Sequence, residues 1–132
     1  MRFKTLMVIK AVVCLFFGIA FVFLPGVLLS LFGITLSAGG MFTARIYGAA
    51  LFGNLLLTWF ARNTGDSDAR RAIILDLLIY DAIGFIVALI TRLTDVLNPL
   101  GWLVVAIYLF FTLGFGYFLI VKPGTSKEAI GN

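Results

Sequence analysis

Residues 59–72 read WFARNTGDSDARRA, and the reading of this stretch decides the fold. Asn63-Thr64-Gly65 is a helix stop, with Gly65 suited to a left-handed cap. Asp66 or Ser67 is a helix start, and Asp68 complements the dipole of the first turn. Trp59 is an amphipathic ring of the kind found at membrane–water boundaries, and Arg62, Arg70 and Arg71 concentrate positive charge within a few residues. A polar turn this short between two long apolar runs predicts a helical hairpin at a membrane face. Its three arginines read as topology determinants and anionic-lipid contacts.

The flanking sequence supports a membrane setting. The chain has 132 residues, 62% hydrophobic and 12% charged. A soluble domain carries about 25% charged residues, so most of this surface is expected to face lipid. Upstream of the hairpin one apolar run covers about 41–61. Before it, residues 11–44 carry no formal charge. A single helix of that length would reach about 51 Å, too long for a hydrocarbon core of about 30 Å. Pro25-Gly26 supplies the break, giving a first span at about 6–24 and an apolar connector at 25–40, either a short interfacial helix or a loop dipping into the bilayer. The N-terminal MRFK and its apolar run look like a signal peptide, but the run is long and has no A-x-A-like exit, so it is taken as a retained helix. Downstream, 72–91 and 100–121 complete the count, and 124–132 reads as a loose polar tail.

The expected fold is therefore all-α: a single membrane domain forming a transmembrane four-helix bundle, N-in/C-in. The positive-inside rule agrees with that arrangement. Arg2, Lys4 and Lys10, then Arg62, Arg70 and Arg71, then Lys122 and Lys127 fall on one side, leaving Arg45 and Arg92 for the other.

Polar residues inside apolar helices are the candidates for function, because hydrocarbon makes them expensive. Counted from the hairpin, Asn54 and Asp76 lie about 10 Å and 8 Å deep, with Thr58 and Tyr80 one turn away on the same faces. Lys10 enters from the same side, so Lys10, Asn54, Thr58, Asp76 and Tyr80 form a candidate polar network on the cytoplasmic side. Asp81 lies near mid-membrane, and Arg45, descending from the opposite boundary, is its candidate partner in an intramembrane ion pair or coupling site. Asp76 and Asp81 are separated by five residues, about 140° round a helix, and do not converge on one face.

Several chemistries lack their residues. There is no histidine, and Cys14 is the only cysteine, so neither a metal cluster nor a histidine-activated serine is expected. No phosphate-binding glycine motif follows a strand. An enzyme is not expected, nor a nucleic-acid partner, and no cofactor is predicted, although the 14 phenylalanines leave a quinone, pigment or structural lipid open.

Ala44-Arg45 with Gly48, Trp59-Phe60-Ala61-Arg62, Ala69-Arg70-Arg71 and Gly101-Trp102 together resemble small bacterial four-helix membrane proteins of the broad DoxX-like kind. The resemblance implies a four-helix bundle, and some relatives are associated with membrane redox complexes. Small multidrug-resistance transporters share a membrane carboxylate, but theirs is a glutamate in the first helix, where this chain has none. The leading expectation is a scaffold or accessory subunit of the bacterial inner membrane that contacts lipids and another membrane protein or itself. The alternatives are a homo-oligomeric proton- or ion-coupled transporter or channel using Asp81 or Asp76, and a membrane subunit of a redox complex.

Overall fold

The computed structural model describes residues 1–120, so the tail at 124–132 and Lys122 and Lys127 lie outside the described residues. It contains five helices: α1 (Phe3–Phe23), α2 (Pro25–Leu31), α3 (Ala38–Ala61), α4 (Asp68–Leu93) and α5 (Gly101–Ile120). The breaks follow local chemistry. Pro25 disfavours helical backbone at the residue before it, so Leu24 turns away at φ −135° and Pro25 opens α2. Gly33, at φ +83°, ends α2 by a Schellman motif in which the amides of Gly33 and Ile34 donate to Ser30 and Leu29 carbonyls. Ser37 and Ser67 cap α3 and α4, accepting from the amides of Gly40 and Arg70 at 3.1 Å.

Among the described residues, only α1, α4 and α5 are long and apolar enough to cross a membrane. The expectation of a transmembrane four-helix bundle is therefore corrected to five helices with three of spanning character. The difference lies in α3, whose 24 residues suffice in length but include Arg45, Asn54, two threonines and four glycines. The arrangement with both termini on one side depended on four crossings and is withdrawn with them. The connector at 25–40 holds the short helix α2 in place of a continuous loop.

The long helices pair as α1 with α3 and α4 with α5, each pair antiparallel. Gly48 of α3 faces Phe21 and Val22 of α1, where a Cβ would lie 2.7 Å from Val22 Cγ2 and 2.9 Å from its backbone nitrogen. Ala44 and Gly48, small residues four apart, are buried in the α1–α3 contact, whereas Ala49 and Gly53, small residues at the same spacing, are exposed. Near the α3–α4 hairpin a core of Phe3, Leu6, Met7, Ala61, Ile74, Leu77, Phe111, Phe115 and Phe118 joins all four long helices. At the other end Leu28 and Phe32 of the α2 segment pack on Leu97 of the α4–α5 turn. Asn98 fastens that end: its amide nitrogen donates to the Phe32 carbonyl at 2.9 Å and its Nδ2 to the Leu31 carbonyl at 2.9 Å. The outer faces carry Val12, Phe16, Ile79, Ile83, Val87 and Leu113, all exposed, as expected of a multi-span helical membrane protein.

Candidate functional site

Between these two apolar ends lies a cavity of about 140 Å³. Its position follows from helix geometry. The guanidinium of Arg70 sits over the Phe3 ring at 4.1 Å, which sets α4 against α1 at the hairpin end. Lys10 is seven residues up α1 from Phe3 and Asp81 eleven up α4 from Arg70, about 10 Å and 16 Å of rise. The lysine stem covers the remainder, and Nζ donates to Asp81 Oδ1 at 2.5 Å. Both residues are buried, at 3% and 0% exposure.

The ion pair is enclosed by aromatic groups. Lys10 Nζ lies 4.5 Å from the ring centre of Phe111 and 4.9 Å from that of Tyr80, so the cation has two π faces besides its carboxylate. Asp81 is less well served, because its Oδ2 is buried with no hydrogen-bond partner among the described residues. Beside the pair three hydroxyls form a chain in which Tyr47 joins Tyr80 at 2.8 Å and Tyr108 at 2.5 Å. Gly84 makes room for this arrangement, since a side chain there would collide with the Tyr108 ring. Cys14, one turn beyond Lys10, is buried at 1% exposure. These residues and aliphatic or aromatic side chains such as Val13, Phe17, Leu51, Val104 and Ile107 line the cavity, with Leu29 and Phe32 closing it from the α2 side.

The residues expected to act together are distributed differently. Asp81 pairs with Lys10 and not with Arg45, which is exposed on the outer face of α3. Depth from the helix ends suggested Arg45, but depth says nothing about which way a helix is rotated. Of the network Lys10, Asn54, Thr58, Asp76 and Tyr80, Lys10 and Tyr80 meet across the tyrosine ring, and no side chain of the other three joins them. Thr58 turns back on its own helix, donating to the Asn54 carbonyl at 2.8 Å. Asn54 is half-buried, and Asp76 is exposed on the opposite side of α4 from Asp81. Arg62 stacks on the Trp59 ring at 3.9 Å, Arg70 pairs with Asp66 at 2.8 Å, and Arg71 is exposed.

Sequence reading passed over Tyr47 and Tyr108. The available signal was position: tyrosines of membrane proteins collect at the interfaces, and these two lie well inside their helices. No group of three metal-ligating side chains occurs among the described residues.

A family model for a domain of unknown function (DUF8292) matches residues 8–126. The chain belongs to this family. The matched region takes in Lys10, Asp81 and the three tyrosines. No curated protein and no solved structure matches the chain. The DoxX-like resemblance is accordingly reduced to its coarser content, a small, mostly helical protein with membrane-spanning helices.

Proposed function

We propose that the protein is a membrane-embedded binding protein that holds a small, chiefly apolar molecule in the cavity between α1, α3, α4 and α5. The observation that carries this reading is the Lys10–Asp81 pair in the wall of an apolar cavity of about 140 Å³. A pair serving only to fix helix register has no need of adjoining space, and an isolated void weakens packing. An apolar cavity of about 150 Å³ stays dry and admits benzene, so one small ring is the natural measure of what fits. The bacterial cytoplasmic membrane is the proposed location, on the strength of the resemblance and the basic segment ends.

Fluorobenzene is a suitable probe, followed by fluorine NMR on the protein in lipid nanodiscs against empty nanodiscs. The expected result is a saturable bound signal that disappears in Val104→Phe, where the larger side chain fills the space. Partition identical to that of empty nanodiscs would remove the binding role.

A second reading, an accessory subunit held by another membrane protein, draws on Arg45 and Asp76. Both are exposed on otherwise apolar outer faces and have no ion-pair partner among the described residues. A partner with polar groups at those positions would relieve the cost of leaving them in lipid. Co-purification with a larger protein, weakened in Asp76→Leu, is the expected result; unaltered recovery of a free single species would exclude it.

A further inference from the structure

We infer that the cavity selects a neutral single-ring or similarly small molecule bearing a hydroxyl, of the phenol type, whose hydroxyl donates to Asp81 Oδ2. This inference rests on the binding role proposed above and adds the chemistry of the ligand. It follows from counting donors and acceptors around the cavity. Lys10 Nζ spends one proton on Asp81 Oδ1 and turns toward the Tyr80 and Phe111 rings, so the cation is satisfied. Asp81 Oδ2 is a buried acceptor with nothing donating to it among the described residues. A buried carboxylate oxygen left in this condition is costly, which makes the shortfall on this side of the wall one of donors.

The tyrosine chain adds the complementary group. Three hydroxyls bring three protons, and the two contacts that join them through Tyr47 use two. One proton is left over. A hydroxyl, donor and acceptor at once, answers both shortfalls, whereas an ether or a ketone answers only the tyrosine proton.

Charge narrows the class further. Lys10 and Asp81 already cancel, and the rest of the wall is almost wholly apolar. A carboxylate ligand would set a second anion beside Asp81, and an ammonium ligand would leave an unbalanced cation in a water-poor space. Volume sets the remaining limit. About 140 Å³ suits one six-membered ring with a small substituent.

The test compares 4-fluorophenol, 4-fluoroanisole and 4-fluorobenzoate by fluorine NMR with the whole protein in nanodiscs, subtracting empty nanodiscs. The phenol is expected to bind about tenfold or more tightly than the anisole, the difference a hydrogen bond to a charged acceptor supplies, and the benzoate not to saturate. In Lys10→Met/Asp81→Leu, which removes both charges together, the phenol's advantage over the anisole should vanish. Should that variant not fold, Val104→Phe keeps the pair and is expected to exclude both rings. Equal affinity of wild type for the phenol and the anisole would overturn the hydroxyl assignment and leave the cavity role standing. Preference for the benzoate, or a phenol advantage that persists in the double variant, would also overturn it. Failure of every ring to saturate, fluorobenzene included, would overturn the cavity role as well.

Discussion

Separating Lys10 from Asp81 gives the sharpest test of how the helices are held together. Each side chain is almost wholly buried, and their contact at 2.5 Å is the ion pair that joins α1 to α4 in the interior. Removing one partner of a buried pair leaves an uncompensated charge and costs about 3–5 kcal/mol, while replacing both by apolar side chains of similar volume is often close to neutral. Lys10→Met and Asp81→Leu should each therefore be severely destabilising, and the double variant should recover most of the loss. The singles should also be unequal. After Asp81→Leu the ammonium keeps the Tyr80 and Phe111 rings at 4.9 Å and 4.5 Å, whereas after Lys10→Met the carboxylate keeps nothing among the described residues. Lys10→Met is the worse of the two by about 1–2 kcal/mol, the range of a partly desolvated cation–π contact. Reversible unfolding in mixed micelles, run as a double-mutant cycle, measures these terms. A coupling energy of about 3 kcal/mol or more is expected. A double variant whose loss equals the sum of the two single losses would refute the buried pair as a stabilising unit.

Gly48→Ala forces α1 and α3 apart, because its Cβ would fall 2.7–2.9 Å from Val22 and Phe21; a loss of about 1–3 kcal/mol is expected in the same unfolding assay. Gly53→Ala, with nothing within 4 Å, should instead gain up to about 1 kcal/mol from helix propensity. Tyr47→Phe breaks both hydroxyl contacts and should cost about 2 kcal/mol, roughly twice the effect of Tyr80→Phe or Tyr108→Phe, which break one each. Asn98→Ala removes the side-chain bond to the Leu31 carbonyl and should raise amide hydrogen exchange in α2 without altering exchange in the α3–α4 hairpin.

Local signals carried well and orientational ones did not. The turn at 59–72 was largely legible because its information is local: α3 ends at Ala61, Ser67 caps α4, and Asp68 stands in the first turn, although Gly65 does not adopt the left-handed conformation expected of it. Pro25 likewise marks the break before the α2 segment, whereas Gly33, which ends it, stood among other small and apolar residues and was not singled out. The spanning character of α3 was misjudged because length was weighed above composition. Arg45, Asn54 and the glycines that let α3 lie close on α1 also lower its apolarity. The partner of Asp81 was hidden for a different reason. Helix length gives depth to within a turn, but choosing between Arg45 and Lys10 requires the rotation of α1, α3 and α4, which tertiary packing sets. The tyrosine chain joins residues from three helices and has no counterpart in local sequence.

That rotation is what links the basic turn to the buried ion pair and the cavity beside it. Ser67 fixes where α4 begins, and Arg70 over Phe3 fixes which face of its first turn meets α1. From there eleven residues make just over three full turns, so Asp81 returns to nearly the same face as Arg70 and meets Lys10. Asp76, six residues from Arg70, comes round to the far side and is exposed. The same helix thus sends one carboxylate inward to a lysine and a cavity and the other outward to the surroundings. Inserting a single alanine between Arg71 and Ala72 would advance everything after it by about 100°, taking Asp81 away from Lys10 while leaving the cap and the Arg70–Phe3 contact in place. Such a variant should keep its helix content and lose both the binding of 4-fluorophenol and the coupling between positions 10 and 81. If binding survived the insertion, the rotation set at the hairpin would not be what builds the site.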